Sequence, residues 1–247
     1  MRLTHASEKG MRHSQEDRMF AKRLNLKNDK GYFLAVMDGH GGDRVAQLCR
    51  DLLAGVIIEV TENKEVVSPV EIQEIFRLLN GQTCEMESGT TLSLVFISHL
   101  SGIVHVGILG DSLVVIKDFD GQVNISPEHN ARTNLKERKA AIKKGAYYSG
   151  KYLCCPSGNG LQMTRSLGDR EFGNFLNRSP EVYSVNIGLE SFVALFSDGI
   201  VDPGHENSGS MGSVISMIKN GASAFDLVKD ALKRKTRDNV TAIVWRR

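Results

Sequence analysis

Between Tyr32 and Met37 the chain carries an unbroken apolar run that stops at a carboxylate, Asp38. A short run bounded by turn residues predicts a buried strand. Gly39, His40, Gly41 and Gly42 follow. Glycines let a ligand approach the main chain closely, and a carboxylate at the end of a rigid strand is well placed to hold a hard cation. The plainer alternative is a strand–turn–helix connection whose Asp caps the helix. From Asp43 to about Glu62, residues Val45, Leu48, Cys49, Leu52, Leu53, Val56, Ile57 and Val60 recur at three- and four-residue steps, which predicts an amphipathic helix. A second, short helix is predicted near Pro69–Leu79, with Ser68 as its cap, Pro69 in the first position and Glu71 in the third.

Other segments carry the strand period. Residues 2–7 and 17–26 alternate loosely and read as two strands around a polar loop, Gly10–Asp17. Thr90–Ile97 and Ile103–Leu109 flank a turn at Ser101–Gly102, and Leu113–Asp118 follows directly. Such close succession predicts antiparallel pairing. His99 and His105 fall in or beside these strands and read as structural. Ser191–Phe196 is another buried strand, Met211–Lys219 and Ser223–Lys235 read as helices, and Val240–Trp245 is a final strand. Residues 127–160 differ in character: seven basic residues stand against two acids. A helix is expected near Asn134–Lys144, and the remainder reads as an exposed loop. The segment is either a solvated face or a substrate-facing flap that attracts anionic partners.

Composition adds bounds. The 247 residues are 41% hydrophobic and 24% charged, with a net charge of +2. These values fit a globular domain and direct nothing to nucleic acid or membrane. The charged first residues predict no secretory signal. The longest apolar stretch, Leu52–Ile58, falls far short of the ~20 residues of a membrane span. Cys49, Cys84, Cys154 and Cys155 have no CxxC spacing, so reduced thiols and a cytoplasmic location are expected. No convincing linker divides the chain, and no coiled-coil seam argues for an oligomer, so one domain and a monomer are expected. A phosphate-binding P-loop, a GxSxG elbow and an HExxH helix are all absent from the sequence, which removes several enzyme classes.

Candidate chemistry lies at the strand ends. Three apolar strands end in an acid among small residues: Met37–Asp38–Gly39, Leu109–Gly110–Asp111 and Phe196–Ser197–Asp198–Gly199. A fourth acid, Asp238, precedes the last strand. In antiparallel sheets these ends can meet at one edge. Carboxylates so placed repel one another unless cations neutralise them. Oxygen-only ligation favours Mg²⁺ or Mn²⁺ over Zn²⁺.

Eight motifs, in order along nearly the whole chain, carry a family resemblance. They are RHSQED (12–17), MDGHGG (37–42), SGTTL (88–92), LGDS (109–112), EHN (128–130), TRSLGD (164–169), SDGIVD (197–202) and RDNVTAIV (237–244). The chain resembles the PPM-type metal-dependent protein phosphatases, the type-2C serine/threonine phosphatases. The resemblance implies an α+β fold of four layers, an αββα sandwich in which two antiparallel sheets pack face to face between helices. It implies one catalytic domain over residues 1–247, with a flap at about 127–162.

The same resemblance implies roles. Asp38 would bridge two Mn²⁺ or Mg²⁺ ions, with the Gly39 carbonyl on one of them. Asp198 and Asp238 would complete the other site. Asp17, or Glu16, would hold metal-bound water. Asp111, helped by Asp202, would bind a weaker third ion. Arg12 would grip the phosphate and His40 would protonate the leaving group. The implied reaction is hydrolysis of phosphoserine or phosphothreonine by direct attack of a water bridging the two ions. The implied partners are phosphorylated proteins and a cognate Ser/Thr kinase. Departures fall at Gln15, Leu113 and the residues after Asn130, and the helical section before Ser88 is short; none removes a metal ligand. Two other readings are a pseudophosphatase serving as a binding or regulatory module, and a two-metal hydrolase of nucleotides or small phosphoesters.

Overall fold

The structure, a computed structural model, describes residues 1–201 and 209–247. In chain order its first elements are β1 (Arg2–Glu8), β2 (Arg18–Asn25), β3 (Lys30–Met37), β4 (Gly39–His40), α1 (Arg44–Thr61) and α2 (Pro69–Thr83). Next come β5 (Gly89–Thr90), β6 (Leu92–Ser98), β7 (Ile103–Leu109), β8 (Leu113–Lys117), β9 (Val123–Ile125) and α3 (Leu135–Lys143). Then follow β10 (Tyr147–Ser149), β11 (Tyr152–Cys154), β12 (Gly160–Leu161), β13 (Leu167–Gly168), β14 (Glu181–Asn186) and β15 (Phe192–Phe196). The last are α4 (Met211–Lys219), α5 (Ala224–Lys233) and β16 (Val240–Arg246).

Two five-stranded antiparallel sheets, ordered β14-β7-β6-β3-β2 and β1-β16-β15-β8-β9, form the centre. Leu34, Val36, Val95, Val106, Val114, Leu195, Ile243 and Trp245 fill the space between them. The opposite face of the first sheet, through Phe33, Ala35 and Phe96, buries the apolar stripes of α1 and α2. The outer face of the second meets α4 and α5 through Phe192, Phe196 and Leu227. This four-layer sandwich explains why β3 lacks alternation: covered on both faces, it is apolar at nearly every position. The capping box at α2 forms as expected, with Ser68 and Glu71 reciprocally bonded. The helix runs on to Thr83, a turn past the predicted end.

Two expectations need correction. Leu113–Lys117 follows β7 closely but does not pair with it; it pairs with β15 and β9 in the other sheet. The chain changes sheets at Gly110, where φ is +118° and a Cβ would lie 2.5 Å from Thr91. The expected loop after α3 holds a small three-stranded sheet, β10-β11-β12. Its strands are short and rich in Tyr, Ser, Gly and Cys, so no period-2 apolar signal marks them. Ala141, Leu153, Leu161, Phe172 and Phe175 give this region its own small core. Among the described residues no helix is long and apolar enough to cross a membrane.

Candidate active site

One cavity of about 1060 Å³ opens where the strand ends converge, and Arg12, Glu16, Asp38, Gly39, His40, Asp111, Asp198 and Asp238 all line it. Each acid is delivered by a different backbone device. The Asp38 amide donates to Thr91 Oγ1 at 3.0 Å, and its carbonyl accepts from the Thr91 amide at 2.9 Å. The end of β3 is thus fastened to the SGTTL segment. Gly39 passes so near Glu16 that a Cβ would lie 2.5 Å from the Glu16 carbonyl oxygen.

Asp111 sits on the sheet-changing turn, 5% exposed. Asn130 Nδ2 donates to its Oδ2 at 2.7 Å. Beside it, the Gly110 amide donates to Nδ1 of fully buried His129 at 3.2 Å. Asp198 follows β15, and its neighbour Ser197 donates from Oγ to Asp17 at 2.7 Å. Asp238 stands just before β16 and accepts from the Asn239 amide at 2.8 Å. Asn239 in turn ties down the first loop. Its Nδ2 donates to the Lys9 and Ser14 carbonyls, and its Oδ1 accepts from the Glu16 amide at 2.8 Å.

Electrostatics follow from this crowding. Burial, then Asp198, Asp17, Asp238 and Asp111, raise the Asp38 carboxyl well above the ordinary range. Burial pushes Asp17 up to about 6, although hydrogen bonds from Ser197 and Thr241 oppose it. Burial also pushes Asp111 up to about 6, against the bond from Asn130. Arg12 is raised: burial opposes the charge, but Asp238, then Asp198 and Asp38, outweigh it.

The family model described as Protein phosphatase 2C matches residues 1–240. The chain belongs to the protein phosphatase 2C family. The probable protein phosphatase 2C 17 of Arabidopsis thaliana is 25% identical over 240 residues, 95% of this chain and 84% of that protein. A C. elegans sex determining protein of known structure matches with a TM-score of 0.81 at 22% identity, over 98% of this chain and 64% of that chain. The catalytic domain of the serine threonine protein phosphatase PstP, solved with 2 manganese ions, matches with a TM-score of 0.68 at 19% identity, over 98% of this chain and 96% of that chain. These structural likenesses establish the protein phosphatase 2C fold for this chain.

The donor set suits a hard divalent cation, being all oxygen, with Asp111 buried, Asp38, Asp198 and Asp238 partly so, and the neighbouring carboxylates raising Asp38. Among the described residues no three His, Cys, Asp or Glu side chains form a ready-made cage. One reason is visible at Asp238, whose Oδ2 accepts from Arg12 Nη2 at 2.5 Å. Arg12 therefore holds a carboxylate in this structure, where the resemblance implied phosphate.

Glu16 lines the cavity and Asp17 does not. Asp17 is 3% exposed and bonded to Ser197, while the Glu16 carboxylate accepts from Ser14 Oγ and from the Gly42 amide. The two neighbours are thus turned to different sides, Asp17 toward Ser197 and Glu16 toward the cavity. Asp202 lies outside the described residues.

Two residues with no assigned role stand out. Asn239 is one. The other is Asp169 of the TRSLGD motif, whose Oδ2 lies 2.7 Å from His40 Nε2. The motif pointed to the segment, but only tertiary contact reveals the partner.

Proposed function

We propose that this chain is a protein serine/threonine phosphatase that hydrolyses phosphoserine and phosphothreonine with the help of two Mn²⁺ or Mg²⁺ ions. The gathering of Asp38, Asp111, Asp198 and Asp238 around one cavity with Arg12 and His40 carries this reading. Asp38, the Gly39 carbonyl, Asp198 and Asp238 would hold the pair, with Glu16 facing the same space. Asp111 would hold a weaker third ion, with Asp202 as its expected helper. Bound there, the ions supply positive charge against phosphate repulsion and make water acidic enough to act near neutral pH.

The remaining work falls to protein groups. Arg12 offers a planar fork of donors to phosphate oxygens, and its charged form is favoured by the surrounding acids. His40 stands at the cavity wall on β4. A serine or threonine alkoxide leaves poorly, so His40 would hand a proton to that oxygen as the ester bond breaks, a contribution of ~10²–10⁴-fold. We read residues 1–247 as one catalytic domain, with the flap at about 127–162 folded over its small core beside the cavity.

Phosphate release from a phosphothreonine peptide, with Mn²⁺ or Mg²⁺ and with chelator, tests the reading. Metal-dependent release that is abolished in Asp238→Ala is expected. Release from nucleotides in preference to the peptide would support the small-phosphoester reading instead. No release from either with metal bound would leave the binding-module reading.

A further inference from the structure

The turn that carries Asp111 is clamped from two sides. It joins the end of β7 at Leu109 to the start of β8 at Leu113, where the chain leaves one sheet for the other. A turn between two sheets has no ladder of its own, so contacts from elsewhere must hold it. On one side, Ser112 Oγ shares a hydrogen bond of 2.7 Å with Thr91 Oγ1, and the Ser112 carbonyl accepts from Ser93 Oγ at 2.6 Å. On the other side lies the EHN segment, residues 128–130. The His129 amide donates to the Gly110 carbonyl at 2.9 Å, and the Gly110 amide donates to His129 Nδ1 at 3.2 Å. The next side chain in that segment, Asn130, reaches Asp111 itself.

Asn130 is 1% exposed and is engaged at both ends of its amide. Its Oδ1 accepts from the Arg132 amide at 3.0 Å and from Arg132 Nε at 3.2 Å. Its Nδ2 donates to Asp111 Oδ2 at 2.7 Å. A backbone amide can only donate, so the Arg132 contact fixes which end of the group is oxygen, and the nitrogen must face Asp111. The Asn130 backbone is fixed as well. Its carbonyl accepts from the Asn134 amide at 2.8 Å, and the residue forms a β-bridge with Met163. The donor is therefore mounted on a buried, immobile residue, while the carboxylate it holds lines the cavity. No other side chain donates to Asp111 among the described residues.

We propose that Asn130 is the positioning residue of Asp111: it holds one carboxylate oxygen so that the side chain is already ordered at the cavity when a divalent cation arrives. The proposal rests on the reading of Asp111 as a ligand of the weaker ion. Asn130 itself does not touch the cation. Without it, the Asp111 side chain would have to be ordered as the ion binds, which weakens binding. Hydrogen-bond partners that orient a ligating group are typically worth 10–100-fold in metal affinity. The choice of an amide matters too. Arg12 meets Asp238 with a full positive charge that competes with a cation, whereas the neutral Asn130 orients its carboxylate and leaves the negative charge in place.

The test uses the full chain with the cation alone as probe. Calorimetric titration with Mn²⁺ resolves the tighter sites from the weakest one. Asn130→Ala is expected to weaken the weakest site by ~10–100-fold and to change the tighter sites by no more than ~3-fold. In an Asp111→Ala background it should weaken binding no further. An unchanged weakest site, an equal loss at every site, or a further loss in the double variant would overturn the proposal. If Asp111→Ala weakens that site and Asn130→Ala does not, the Asn130 assignment alone falls. If Asp111→Ala itself leaves the weakest site intact, the reading of Asp111 as a ligand falls and the proposal with it, whatever the peptide assay shows. A Mg²⁺ titration of the unaltered, ¹⁵N-labelled protein gives a readout that needs no variant. The Asn130 side-chain amide signals are expected to shift as the weakest site fills. Signals that follow only the tighter sites, or that do not move, would overturn the assignment.

Discussion

Arg12 and Asp238 are bonded to each other at 2.5 Å, so the residue assigned to phosphate and a residue assigned to the cations share one ion pair. Arg12 is also held by the Arg237 carbonyl at 3.0 Å. Its side chain remains 54% exposed against 15% for Asp238. The guanidinium can therefore swing toward solvent while the carboxylate stays. Cation and phosphate together are expected to separate the pair, each taking one partner.

Removing the arginine separates the two roles. Arg12→Ala is expected to raise KM for a phosphothreonine peptide by ~10-fold or more, while Mn²⁺ binds ~3-fold tighter or better because a competing cation is gone. Steady-state kinetics and calorimetric Mn²⁺ titration check both halves. Weaker Mn²⁺ binding would show that Arg12 supports the cation site.

Asp38 is costly without its counter-ion. Burial and four neighbouring acids raise its carboxyl well above the ordinary range. Asp38→Asn is therefore expected to cut Mn²⁺-dependent turnover by ~10²-fold or more, yet to raise the melting temperature in chelator at pH 7.5. Thermal unfolding with and without Mn²⁺ measures this. A lower melting temperature in chelator would mean that the carboxylate is already compensated within the protein.

The pH dependence has a definite sign. Asp17 and Asp111 rise from 3.8 to about 6, chiefly through burial. Between those values the folded chain holds more protons than the unfolded one, so their contribution to stability is lost as pH climbs through the window. Asp111→Asn removes one such group. In chelator, the variant's melting temperature relative to the parent is expected to increase from pH 4 to pH 7. Mn²⁺ should oppose the trend by stabilising the folded form, by ~2.7 kcal/mol at a hundredfold excess over Kd. A difference that stays flat across pH would place the Asp111 pKa in its ordinary range.

Outside the cavity lining, Gly107 on β7 lies directly beneath α2: a Cβ there would lie 2.6 Å from both Ile72 and Phe76. Gly107→Ala is expected to cost ~1–3 kcal/mol by overpacking, or roughly 2–10 °C in melting temperature, with kcat on a phosphopeptide unchanged. Denaturant and thermal melts with activity assays test this. An unaffected melting temperature would show that the helix can slide.

What the sequence disclosed follows from how local each signal is. The stripe of α1, the Ser68–Glu71 cap and the dense apolar run of β3 are all written within a few residues. The acids at strand ends were legible because each interrupts an apolar run. The transfer of β8 to the second sheet was not, because it depends on the Gly110 turn meeting Thr91 at the end of the neighbouring strand. Strands β10 to β12 lack periodicity, and exposed β14 reads no differently from a loop. Asp17 and Glu16 are adjacent, so only the direction of the backbone decides which faces the cavity. Asn239 and Asp169 act through partners more than a hundred residues away, and spacing alone cannot pair them.

At one edge of the second sheet, β1 pairs with β16 and, among the described residues, with no other strand. During synthesis β1 must wait for a partner made more than two hundred residues later. Asn239, at the head of β16, also immobilises the loop that carries Arg12 and Glu16. A chain in which β16 has not yet formed therefore has an open sheet edge and an untied first loop. The wall of the cavity that carries Arg12 and Glu16 is thus completed only when the last strand is in place.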